Sequence, residues 1–180
     1  VVPSSPADAV GLLKACIADD DPCLFIEDGV TRTVKGVAPP ADHFIPLGKA
    51  HVEREGTDVS VISYGRPLQD IRKIADEMSA QGVSVEIIDL RTISPLDTET
   101  LVASVRKTGR AVVVHEAVRS FGVGAEVAAR IQEHAFDCLK APVLRVASKD
   151  ATVPFARTLE LDFLYQRGDI EAAIKQTLEG

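Results

Sequence analysis

His115 and Glu116 stand side by side at the end of an apolar run, in the stretch RAVVVHEAVRSFGVGAEVAAR from Arg110 to Arg130. An imidazole titrates near neutral pH and a carboxylate can set its tautomer, so such a pair is suited to general acid–base chemistry. Adjacent residues on a strand point to opposite faces, which keeps these two side chains from bonding each other. No Ser, Cys or second carboxylate nearby completes a catalytic set, so a strand-end role at an interface or helix terminus is the expected one.

Gly122-Val123-Gly124 follows this run and precedes a helical pattern, as a dinucleotide fingerprint would. The third glycine of that fingerprint is missing, with Val127 in its place, and the expected function of the turn is backbone geometry. Asp19-Asp20-Asp21 offers oxygen ligands for a hard cation but lacks the alternating spacing and glycine of a calcium hand. Carbonyls freed at the end of a helix, next to Pro22, offer a second route, to a monovalent cation. Arg91 and Thr92 follow Asp89-Leu90, and Ser94-Pro95-Leu96-Asp97 leads into a helix for which Asp97 or Thr98 is the cap and Leu96 with Leu101 the staple.

Local patterns say how these residues are held. Ser5-Pro6 starts a helix over Ala7 to Ala18, Cys23 to Ile26 is expected as a short buried strand, and Glu27 to His43 reads as a linker. From Thr57 the pattern alternates. Strands are expected at Val59–Ile62, Val83–Ile88, Ala111–Val114 and Val143–Val146, and helices at Pro67–Ala80, Thr98–Lys107, Val123–Phe136 and Ile170–Leu178. Strands separated by amphipathic helices imply parallel pairing, hence an α/β fold with an open, mostly parallel sheet and helices on both faces. The strand-end position of His115, Glu116, Arg119 and Ser120 is then where such sheets gather ligands and partners. We place a domain boundary in the linker, giving units 1–40 and 41–180.

The chain has 180 residues, 46% of them hydrophobic and 26% charged, enough to build a real core. Its net charge of -7 argues against nucleic acid and suits a basic protein surface. Cys16, Cys23 and Cys138 have no metal spacing and are read as buried small hydrophobes in a reducing compartment. No apolar run approaches the roughly 20 residues that span a bilayer, so no membrane partner is expected, and the location is cytoplasmic or an organelle's soluble phase. The start at Val1-Val2-Pro3 suggests a fragment whose upstream half lies elsewhere.

FIPLGKAHVEREGTDVSVISYG, VSVEIIDLRTISPLDTETLVASVRKTGR, HEAVRSFGVGAEVAARI and APVLRV, in that order, resemble the β subunit of the thiamine-diphosphate-dependent 2-oxoacid dehydrogenases. That group includes the decarboxylating components of the pyruvate and branched-chain complexes. The resemblance covers nearly the whole chain. It implies a transketolase C-terminal-like domain over 41–180, preceded by the tail of a pyrimidine-binding α/β domain.

It further implies a heterotetramer of two α and two β subunits that holds thiamine diphosphate and Mg between them, decarboxylates a 2-oxo acid and passes the acyl group to a lipoyl arm. The family's activating glutamate and β-subunit histidine lie upstream of Val1, so no catalytic or cofactor-binding residue is expected here and the chain alone is expected to be inactive. Backbone oxygens at the end of the first helix bind a structural potassium ion in the family, and Cys16, Ile17, Asp19 and Asp21 match those positions. Asp21 replaces an asparagine common there. Glu27 to Ala41 departs from the pattern, with DGVTRTVKG where relatives have a basic-aromatic stretch. Partners implied are the α subunit, a second β subunit and the basic subunit-binding domain of the acyltransferase, toward which an acidic domain is steered by charge. His-Glu-Ala at 115–117 resembles the branched-chain members, with pyruvate equally open as substrate. The competing readings are a stand-alone nucleotide-binding or regulatory α/β domain and a pure protein-interaction module.

Overall fold

Short strands rich in Val and Ile, above all β-branched segments such as VSVIS and AVVVHEAV, form the centre of the fold. The computed structural model describes residues 1–180. Its strands are β1 (His51–Arg54), β2 (Val59–Ser63), β3 (Val85–Asp89), β4 (Ala111–Val118) and β5 (Leu144–Ser148). They make one five-stranded sheet in the order β1-β3-β2-β4-β5, parallel throughout except for β1, which runs antiparallel to β3.

The helices are α1 (Pro6–Ala18), α2 (Leu68–Ala80), α3 (Thr98–Thr108), α4 (Val123–Ala135), α5 (Arg157–Phe163) and α6 (Arg167–Glu179). Strand alternation sorts the core into two layers. Val59, Val61, Val85, Ile87, Val112 and Val114 pack on one face against Leu68, Ile71 and Ile74 of α2 and Ile170 and Ile174 of α6. On the other face Ile62, Ile88 and Val113 meet Leu101 and Val105 of α3 and Val127 and Ile131 of α4. Helices therefore cover both faces, the arrangement that buries parallel strands on both sides.

Most expected elements lie where the pattern puts them, and four differences stand out. Cys23–Ile26 is not a buried strand: the segment is extended, and Leu24 is 80% exposed and Ile26 56%. Its recorded backbone partner is the N-terminus, with Val1 N donating to Leu24 O and Ile26 N to Val1 O. β1 and α5 are additional elements, and β4 runs through Val118 instead of stopping at Val114. The three cysteines are half-buried, not core residues. α3 begins at Asp97, whose Oδ1 accepts from Thr100 N at 3.2 Å, and ends at Gly109 in the left-handed conformation (φ 73°).

Candidate functional site

The chain leaves β2 toward β3 on one side and leaves β4 toward β5 on the other, so the strand order reverses between β2 and β4. Crevices at the carboxyl ends of strands at such a reversal are the general ligand position of open α/β sheets. A cavity of about 1000 Å³ opens there, lined by Tyr64, Gly65 and Arg66 beyond β2, Ile93 to Pro95 beyond β3, Glu116 and Ala117 on β4, and the N-terminal segment. Arg66 and Glu116 span the reversal in a 2.8 Å ion pair. Burial is the main influence on Glu116 and raises its carboxyl above the ordinary range, while Arg66 pulls it back. The Tyr64 phenol beside it is raised by burial and then by the Glu116 charge.

His115 takes the opposite face of β4, as strand alternation requires, and is fully buried. The acid–base dyad is thereby excluded. Neither ring nitrogen completes a hydrogen bond, and burial, followed by the nearby Arg145 charge, lowers the imidazole below its ordinary 6.5. It is a neutral packing residue.

The ring also explains the glycines. A Cβ on Gly122 would stand 2.7 Å from His115 Cε1 and 2.6 Å from Val118 O, and one on Gly124 would fall inside the envelope of His115 Cδ2 and Nε2. The expected role in backbone geometry is corrected: Gly122 has φ -72°, and the left-handed residue of the turn is Phe121, at φ 59°. The glycines admit the imidazole of His115. Ser120, on the same turn, holds Asp150 through its N and Oγ, both at 2.8 Å.

The four positions expected to face a cation lie at the end of α1. Asp19 is the C-cap, with extended backbone, and its Oδ1 accepts from Asp21 N at 2.9 Å. Outside the helix itself, no backbone hydrogen bond ends on the carbonyls of Cys16, Ile17 or Asp19. The Asp21 carbonyl accepts from Cys23 Sγ at 3.6 Å. Asp19 and Asp21 border the large cavity, whereas Ile17 is 77% exposed. No cluster of three or more His, Cys, Asp or Glu side chains forms a metal site.

Asp89 and Arg91, singled out in the sequence at a strand end, join Ser4 and Asp8 in holding the N-terminal segment on the sheet. Ser4, Asp8, Asp89 and Arg91 meet beyond the ends of β2 and β3, joined by Arg72 of α2, which is paired with Glu53 of β1. Val2 N donates to Arg91 O at 2.8 Å and Gln69 Nε2 to Ser4 O at 3.0 Å. Further along, Gly11 lets the linker cross α1: Ile45 N donates to Gly11 O at 3.2 Å, and a Cβ there would lie 2.6 Å from Ile45 Cγ1. On the far side of β3, Asp97 accepts from Ala50 N at 3.0 Å. Burial alone would raise Asp97, but hydrogen bonds from Thr100 and Ala50 hold it below the usual carboxylate range.

The strand order, the crevice at its reversal and the antiparallel edge define an open α/β domain of the doubly wound class. Residues 48–170 match the family described as Transketolase, C-terminal domain. The chain belongs to that family. It is 46% identical over 180 residues to the pyruvate dehydrogenase E1 component subunit beta of Bacillus subtilis (strain 168), and 47% identical to the same component of Staphylococcus epidermidis. Each alignment takes in 99% of this chain and 55% of the relative, so the chain spans about half the length of the curated relatives it matches. Among solved structures it resembles a split-gene transketolase in an inactive beta4 tetramer, with TM-score 0.82 and 27% identity over 99% of this chain and 56% of that one. No helix is long and apolar enough to cross a membrane.

Proposed function

We propose that this chain is the C-terminal part of the β subunit in the decarboxylating component of a thiamine-diphosphate-dependent 2-oxoacid dehydrogenase, and that it contributes assembly surface instead of catalytic groups. Residues 1–40 then belong to the pyrimidine-binding domain and 41–180 form the transketolase C-terminal domain. The observation that carries the reading is the similarity over nearly its full length to pyruvate dehydrogenase β subunits. The exposed Leu24 and Ile26 support it, since apolar side chains lining an open cavity mark an interaction surface.

The cofactor itself does not fit the residues present. The cavity lining carries Asp19, Asp21, Glu27, Asp28 and Glu116 against the single guanidinium of Arg66, a field that repels a diphosphate. No step of decarboxylation is assigned to these side chains. Thiamine diphosphate and Mg belong, in this reading, to the assembly with the α subunit. The other proposed partners are a second β chain and the basic subunit-binding domain of the acyltransferase. The proposed location is the cytoplasm, or the mitochondrial matrix in a eukaryote.

The carbonyls at the end of α1, with Asp19 and Asp21 beside them, fit a monovalent cation, and we assign Cys16, Ile17, Asp19 and Asp21 to structural potassium. Exchanging potassium for tetramethylammonium at constant ionic strength is expected to speed proteolysis within residues 1–26; unchanged cleavage rejects the site. The enzyme reading is tested by coexpressing the full-length β chain with its α partner. Thiamine-dependent decarboxylation is expected with pyruvate or a branched-chain 2-oxo acid, and a well-assembled tetramer inactive on both overturns the proposal.

A further inference from the structure

Ser4 lies between two carboxylates. Its Oγ stands 2.5 Å from Asp89 Oδ2 and 3.2 Å from Asp8 Oδ2, and it accepts from Arg72 Nη2 at 3.3 Å. A hydroxyl has one proton to donate, so it cannot serve both oxygens at once. Asp8 is otherwise provided for: Ser5 Oγ donates to Oδ2 at 2.5 Å, and Arg91 Nη2 stands 2.6 Å from Oδ1. Asp89 has no cation of its own. Ser4, Asp8 and Asp89 are 0%, 2% and 1% exposed, so bulk water does not stand in as the missing hydrogen-bond donor.

The charge balance points the same way. Glu53 pairs with Arg72 and Asp8 with Arg91, which leaves an ionised Asp89 as a surplus buried charge. Burying such a charge without a partner is costly, and a carboxyl so placed keeps its proton. Asp89 also shapes the docking surface. Its Oδ1 accepts from Arg91 N at 3.0 Å, and Arg91 is held in the left-handed conformation at φ 56°, from which its carbonyl reaches Val2 N. A β-carbon residue occupies that conformation only where its surroundings impose it.

We propose that Asp89 is the proton switch of a latch: protonated, it donates to Ser4, Ser4 donates to Asp8, and residues 1–9 stay seated on the ends of β2 and β3; ionised, it releases them. Burial is the main reason that this carboxyl is pushed up to about 7; Ser4 and Arg91 draw it down and the Asp8 charge pushes it further up. A carboxyl raised in the seated form holds its proton more tightly there than in the released chain. Seating is therefore strongest below the ordinary 3.8 and weakens as pH rises through about 7. The limiting slope is about tenfold per pH unit.

The other charged groups facing this site are Asp8 of α1, His51 and Glu53 of β1, Arg72 of α2 and Arg91 beyond β3. His51 works against the switch at lower pH. Burial, then the charge of Arg91, lowers its pKa below 6.5, so protonating it adds positive charge beside two guanidiniums. The decisive window is thus above about pH 6.5, where His51 is neutral.

The test uses the full-length chain and follows amide exchange at Val2, Asp8 and Ala9, corrected for intrinsic rates, from pH 6.5 to 8.5. Protection is expected to fall about 25-fold in the unsubstituted chain and to stay within about twofold in Asp89→Asn, whose amide donates to Ser4 at every pH. A flat profile in the unsubstituted chain, or the same fall in the variant, overturns the latch. Carboxyl carbon NMR of the unsubstituted chain decides independently of whether the variant folds. An Asp89 midpoint between about 6 and 8 supports the proposal, and one below about 5 rejects it.

Discussion

Residues 59–174 and residues 1–50 bury charge and apolar surface in different ways. In the sheet and the helices on it, Val59, Ile62, Val112, Leu101 and Ile131 are fully covered, and the central buried histidine is neutral and packed by glycines. The N-terminal region buries Leu12 but leaves Val10, Leu13, Ile17, Leu24 and Ile26 exposed, and it is tied down through Ser4, Asp8, Asp89 and Arg91. One region is held by close packing and the other by a few polar bonds. The difference predicts opposite responses to acid. A histidine lowered by burial is neutral in the fold, so its contribution, present above 6.5, is lost as pH falls through its depressed pKa. The Asp89 contribution runs the other way.

The largest effect expected from breaking this contrast is at Arg91. Arg91→Ala removes the partner of a nearly fully buried Asp8 and should cost about 3–5 kcal/mol of N-terminal docking, seen as rapid proteolysis ahead of Ile45 with the sheet intact. Global unfolding at unchanged proteolytic pattern would erase the distinction between the regions. Leu101→Ala should act on the other side, lowering the denaturant stability of the sheet by about 2–5 kcal/mol while leaving docking alone.

Gly124→Ala brings a helix-propensity gain of about 1 kcal/mol against an overpacking cost of about 1–3 kcal/mol. His115 is buried all round and cannot give way, so the net change should be destabilising, and a rise in melting temperature would show that the imidazole is not what the glycine accommodates. Leu24→Ser should be the smallest, within about 0.5 kcal/mol for the isolated chain, because the side chain is 80% exposed. Its effect belongs in assembly with the α partner, measured as a weaker association constant.

The parallel strands were legible because β2, β3 and β4 are rich in Val and Ile and each parallel strand alternates with an amphipathic helix. β1 was not, since HVER contains one apolar residue and is set by its pairing with β3, a neighbour far along the chain. Cys23–Ile26 shows the reverse error. Cys-Leu-Phe-Ile reads as buried by composition, while exposure depends on what lies opposite. The crevice position of Glu116 followed from the α/β pattern alone. The Ser4–Asp89 contact did not, because 85 residues separate the two.

β1 also decides what the sheet does at its border. An edge strand presents unpaired backbone groups that a second sheet can adopt. Here the strand is four residues long, carries His51, Glu53 and Arg54, and slips register between Val52 and Arg54. Reversed in direction and irregular in its bonding, it offers an incoming strand too few regular positions to continue the ladder. That border is thereby a poor template for a strand from another chain, whatever becomes of the N-terminal segment.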